Sequence, residues 1–219
     1  MKKTLSVLVV IFLLVSVLSA CNQRPAVDRS VKPEEHFSNY KTLTDLYGTP
    51  WRDVLKKLDI DMQELDADGL NYVGIPLQET YADITFGTAL RFRGDDNHLG
   101  GVEYTASYQY PEEEVKLLQD VVKLNRQLIS DFGSASDTSY VFNWAEKQMG
   151  EKWNREISYW QDVQVLKRLL DADYSGNLLL WNLSSIAPKH IKDMEIVHAL
   201  SISFYVNQDE GTALITISY

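Results

Sequence analysis

The stretch from Ala82 to Tyr110 limits the fold of this chain more than any other. Ala82, Ile84, Phe86, Thr88, Leu90 and Phe92 alternate with Asp83, Thr85, Arg91 and Arg93. Val102, Tyr104, Ala106, Tyr108 and Tyr110 then alternate with Glu103, Thr105, Ser107 and Gln109. A period of two sends the two sets to opposite sides of a strand, and their polarity says which side is covered. Two such strands, joined by a loop from Gly94 to Gly101, predict an antiparallel sheet with one buried face and one wet face. The pattern returns at the end of the chain. Leu200, Ile202, Phe204 and Val206 form one strand, Asn207 to Gly211 turns, and Ala213, Ile215, Ile217 and Tyr219 come back as a hairpin.

Between and before these strands the period changes to that of a helix. Thr49 and Pro50 suit a cap and a first helical residue, and Trp51, Val54, Leu55 and Leu58 then share a face. Pro111 opens a second helix with Glu112, Glu113 and Glu114 in its first turn. Leu117, Leu118, Val121, Leu124, Leu128 and Phe132 form its stripe, and Gly133 stops it. Tyr140 to Trp144 reads as a strand. A third helix follows from about Lys152 to Leu170, with Trp153, Ile157, Trp160 and Val163 along one stripe, then a strand at Leu178 to Leu183 and an amphipathic piece around Ile191 to Val197. The expectation is an α+β fold with helices packed on one face of an antiparallel sheet, built as two tandem helix-plus-hairpin units. They occupy residues 43–110 and 111–219 of a globular domain spanning 43–219.

The first residues carry an address. Lys2 and Lys3 precede an apolar run from Leu5 to Leu18, which ends at small residues and is too short for the 20 or so positions that a spanning helix needs. Leu18-Ser19-Ala20-Cys21 resembles the signal of bacterial lipoproteins. That resemblance implies that residues 1–20 are removed and that Cys21 becomes a lipidated N-terminus, holding the protein on the outer side of a cell membrane or on an outer membrane. Asn22 is not the aspartate that marks retention at the inner membrane in such proteins. Cys21 is the only cysteine in the chain, so the folded part has no thiol for a disulfide, a zinc site or a nucleophile. Residues 21–42, with Pro25, Pro33 and mixed charge, read as a flexible tether.

Loss of residues 1–20 removes two lysines and no acid, taking the formal charge from −10 to −12. Such a balance argues against nucleic acid and against a polybasic grip on anionic lipid. Membrane contact is therefore expected through the lipid alone, with a protein as the other partner and no cofactor.

Local motifs for catalysis are few. Ser38-Asn39-Tyr40-Lys41 matches a bare Ser-x-x-Lys pattern without the other motifs of penicillin-recognising enzymes. Asp66-Ala67-Asp68-Gly69 has Ile75 where a calcium loop needs its glutamate. Asp171-Ala172-Asp173-Tyr174-Ser175-Gly176 places oxygen side chains at positions one, three and five of such a loop, but Asn182 stands at position twelve. His36, His98, His190 and His198 are scattered, and His98 reads as a turn residue. Residues 43–110, from Leu46-Tyr47-Gly48-Thr49-Pro50 onward, also resemble the small two-layer units of β-lactamase inhibitor protein and of outer-membrane assembly lipoproteins. That likeness implies a non-catalytic protein that binds another protein on its sheet face. Three functions stay open at this point: a protein-binding or accessory lipoprotein of the envelope, a hydrolase working through two carboxylates, and a calcium-dependent module using Asp171, Asp173 and Ser175.

Overall fold

The computed structural model describes residues 33–61, 71–93, 97–135, 137–150, 159–182, 189–191, 194–196 and 199–219. The signal, Cys21, the Asp66–Gly69 turn, Trp153, Ile157, His198 and the side chain of His190 lie outside what it describes. The fold is α+β, and helices cover one face of an antiparallel sheet.

The sheet contains β1 (Tyr72–Tyr81), β2 (Ile84–Arg93), β3 (His98–Gln109), β4 (Gly176–Asn182), β7 (Ala199–Asn207) and β8 (Thr212–Ser218), in the order β1-β2-β3-β8-β7-β4. β5 (Lys189–Ile191) and β6 (Met194–Ile196) pair with each other in the connection from β4 to β7. All six strands of the main sheet are antiparallel to their neighbours. Seven successive pairs, from Glu103 with Ser218 to Gln109 with Thr212, stitch the first three strands to the last hairpin. The two expected halves therefore share a single sheet.

Alternation was a sound guide to register. Ile84, Phe86, Leu90 and Phe92, then Val102, Tyr104 and Tyr108, then Ile202, Phe204, Ala213, Ile215 and Ile217 are all buried on the helix side. Over that side lie α1 (Tyr40–Thr44), α2 (Trp51–Lys57), α3 (Glu114–Phe132), α4 (Ser139–Trp144) and α5 (Val163–Asp171). α3 crosses β3 and β8 and buries Leu117, Leu118, Val121, Leu124, Leu128 and Phe132, the stripe its spacing predicts.

Several local expectations are corrected. Residues 33–42 do not behave as a tether: Phe37 and Tyr40 are 1% and 2% exposed against the sheet, so the folded part begins by Pro33. Tyr140 to Trp144 is helix, not strand, because Val141, Phe142 and Ala145 bury together at helical spacing. Helices α2 and α3 start one and three residues later than their prolines suggested, at Trp51 and Glu114. Of the third helix expected over Lys152 to Leu170, the described residues form a 3-10 turn at Tyr159–Gln161 and then α5, which begins after Asp162; the extended backbone and carboxylate of Asp162 cap it by accepting from the N–H groups of Gln164 and Val165. Ala82 is not in a strand either, since Ala82 and Asp83 have φ of 51° and 54° and form the tight turn between β1 and β2. His98 belongs to β3 and bridges to Pro50 rather than sitting in a turn.

Candidate functional site: an open sheet face and a charged groove

The face of the sheet turned away from the helices follows from its register. One row across it runs Gly74, Ala89, Glu103, Ser218, Ser201, Leu180, and the next runs Gly87, Thr105, Thr216, Ser203, Asn177. Small hydroxyl side chains and glycines dominate both rows, but Ala89, Thr216 and Ser203 are buried, so the exposed part of the face lies toward β1 and β2, around Gly74, Thr85 and Gly87, where the surface is low and has little rotamer entropy to lose on contact. Thr105 and Thr216 approach hydroxyl to hydroxyl at 3.5 Å. Arg91 and Glu103 form an ion pair of 2.9 Å on this face. Tyr72, at the start of β1, and Tyr205, near the end of β7, are 52% and 44% exposed and stand toward opposite ends of the face. Near the Tyr72 end a bulge lets Gly100 and Gly101 face the stems of Arg93 and Arg91. A Cβ on Gly100 would meet the Arg93 Cδ at 3.3 Å.

On the helix side, a groove of about 280 Å³ opens where α3 meets the near ends of β2 and β3. Asp83, Thr85, Ser107, Tyr108, Lys116 and Asp120 line it, with Ile84 and Ala106 at its apolar wall. Its charges are largely matched. Lys123 Nζ lies 2.7 Å from Asp83 Oδ2 and, through that hydrogen bond, holds the Asp83 carboxyl below the usual carboxylate range. Tyr108 donates its hydroxyl to Asp120 at 3.0 Å, and burial together with that carboxylate pushes the phenol above its ordinary range. Lys116 lies 5.3 Å over the Tyr108 ring and 3.2 Å from Glu113. A two-carboxylate hydrolase needs one carboxyl kept protonated near neutrality. Asp83, held ionised by Lys123, can fill only the other role.

The residues singled out by sequence are not brought together. Ser38 donates to Glu79 at 2.9 Å while Lys41 reaches Asp45 at 2.6 Å, so the Ser-x-x-Lys pair has no shared proton path. Asp171 binds Lys167, Asp173 accepts from Gln208, and Ser175 Oγ accepts from the Val206 N–H. Each of the three loop oxygens thus has its own partner. Among the described residues, no three His, Cys, Asp or Glu side chains group as metal ligands would. Asp173 has φ of 59° and Gly176 of 149°, the signature of a helix-to-strand turn. His36 meets Asp131 at 3.3 Å, far along the chain from the other histidines.

Glu79 was not anticipated. It is 4% exposed, and its Oε2 accepts from the Ser38 hydroxyl and, at 3.3 Å, from the Asn39 N–H. A signal existed, since Val73, Ile75, Glu79 and Tyr81 keep one phase into the core; the irregularity between Ile75 and Gln78 moves the pairing with β2 by two residues and leaves that phase intact.

Comparison with protein-family models, with curated proteins and with solved structures finds no match. Among the described residues, no helix is long and apolar enough to cross a membrane.

Proposed function

We propose that this chain is a membrane-anchored lipoprotein facing outward from the cytoplasm, and that it holds a protein partner in the cell envelope rather than turning over a substrate. The observation that carries the reading is Leu18-Ser19-Ala20-Cys21 at the end of a short apolar run, with that cysteine the only one in the chain. The partner-facing surface is the exposed part of the outer sheet face on β1 to β3, for which its low relief and the exposed Tyr72 speak. Tyrosine is enriched where proteins meet because it combines a large apolar ring with a polar tip. The matched charges of the groove under α3 favour binding over chemistry in the same way.

Cells expressing the chain are grown with labelled palmitate beside a Cys21→Ala variant. The expected result is label and detergent-phase partition for the parent and neither for the variant. An unlabelled parent in the aqueous phase overturns the anchor. In-cell crosslinking then compares Thr105→Arg on the sheet face with Asp120→Asn in the groove. Loss of a crosslinked band with Thr105→Arg alone supports the sheet face, and loss with Asp120→Asn alone overturns it.

A further inference from the structure

Pro33–Leu46 is a chain segment lying across the inner face, and its attachments are unlike those of every strand. Its backbone hydrogen bonds close on the segment itself: His36 and Phe37 donate to Pro33, Tyr40 to Phe37, Leu43 to Asn39, Asp45 to Lys41 and Leu46 to Leu43. The exception is the Asn39 N–H, which donates to the Glu79 carboxylate. Its helical pieces, Pro33–Glu35 and α1, are too short to stand alone.

Contact with the body is made by side chains. Phe37 centres 4.8 Å from Tyr81 and 5.6 Å from Tyr104, and Tyr40 lies 4.6 Å from Tyr219. Two carboxylates complete the attachment. Glu79 on β1 takes Ser38 and Asn39, and Asp131 on α3, itself bonded by Tyr81 at 2.6 Å, takes His36. Backbone pairing to the sheet begins only past the segment, where Gly48 donates to Leu99 and Leu99 donates to Thr49. Gly48 has φ of 80°, a conformation that glycine adopts without strain, at the junction.

We propose that Pro33–Leu46 is a stored length of tether: a strap that opens as a unit about Gly48, with Glu79 and Asp131 as its latches. Apolar burial of three side chains falls short of the entropy of ordering a segment this long, so the strap leans on its local hydrogen bonds and polar latches to stay closed. The use of opening rests on the lipoprotein reading above. Released and extended at about 3.3–3.6 Å per residue, the strap spans up to roughly 50 Å between Cys21 and the sheet. The aromatic surface beneath has the strap itself as its occupant.

Hydrogen exchange followed by mass spectrometry on the full chain, purified in detergent from whole-cell extract, tests the strap without depending on the anchor. The intact mass of the same sample reports lipid at Cys21 separately. Peptides covering residues 33–46 are expected to exchange at least about 10-fold faster than those of β3 and β8, in one correlated step. Ser38→Ala is expected to speed strap exchange by about 5- to 30-fold while leaving β3 and β8 unchanged. Strap peptides exchanging in step with β3 and β8 overturn the proposal, because the segment is then part of the global core. A fast strap that ignores Ser38→Ala overturns Glu79 as a latch.

Discussion

Gly211 closes the β7–β8 turn with φ of 62°, and a Cβ there would come within 3.3 Å of the Tyr110 carbonyl oxygen. Both effects act against any side chain, and the Gly211 carbonyl also accepts the Tyr110 N–H. Gly211→Ala is therefore expected to cost about 1–2 kcal/mol, read as a lower urea midpoint at unchanged slope. Tyr40 presents the opposite case. Its hydroxyl is buried with no hydrogen-bond partner among the described residues, and burial, aided by Glu34, raises its pKa to about 12. The unfolded chain releases that proton near pH 10 and the folded chain holds it, so the stability it contributes is whole below pH 10 and is lost as pH rises through about 12. Tyr40→Phe is expected to match or exceed the parent at pH 7 and to flatten its decline between pH 10 and 11.5, both measured by urea unfolding. Residue chemistry of this kind was only partly legible in sequence. Gly211 was recognisable as a turn residue, whereas Ala82, an alanine at a positive φ, gave no sign that β1 ends there.

Among the elements, β8 is an interior strand at the end of the chain, hydrogen-bonded to β3 on one side and β7 on the other. Ala213, Ile215 and Ile217 are each fully buried, and the Tyr219 backbone oxygen accepts from Val102 N–H and from the Tyr47 hydroxyl at 2.6 Å. A chain ending at Ala213 would leave two long unpaired edges inside the sheet. It is expected to lose cooperative unfolding, followed by near-ultraviolet circular dichroism, and retention of the parent's transition would refute the placement of β8. Strands whose apolar and polar residues alternate, such as β2, β3, β7 and β8, were legible because the apolar set packs under the helices, even where Ala89, Ser203 and Thr216 on the other face are also buried. Tyr140–Trp144 was misread because aromatic and β-branched residues favour strands on average, while the helical burial of Val141, Phe142 and Ala145 decided otherwise. The strap was misread for a related reason. Its composition is that of a linker, and only Phe37, Tyr40 and Leu43, three residues apart, hint at a buried face. The sheet face was foreseen as wet, but its rows of hydroxyls depend on strand order, which no local pattern encodes.

At the scale of the whole molecule, the repeated helix-and-hairpin plan suggests two units, yet the sheet is continuous through β3 and β8 and α3 lies over both strands. Tyr104 from the first half and Tyr219 from the second meet hydroxyl to hydroxyl at 2.7 Å in the buried interior. A chain of residues 111–219 alone would expose the β3-facing edge of β8 and strip α3 of half its floor. The entropy of ordering the remaining chain would then outweigh the apolar area still buried. Neither half is therefore expected to fold by itself: residues 111–219, produced alone, should show no sigmoidal urea transition. Mixing them with residues 33–110 should restore one, with a midpoint that rises with concentration as binding linkage requires. A cooperative transition for the isolated half, independent of its partner, would mean that the two units are domains in their own right and that the β3–β8 seam is an interface between them.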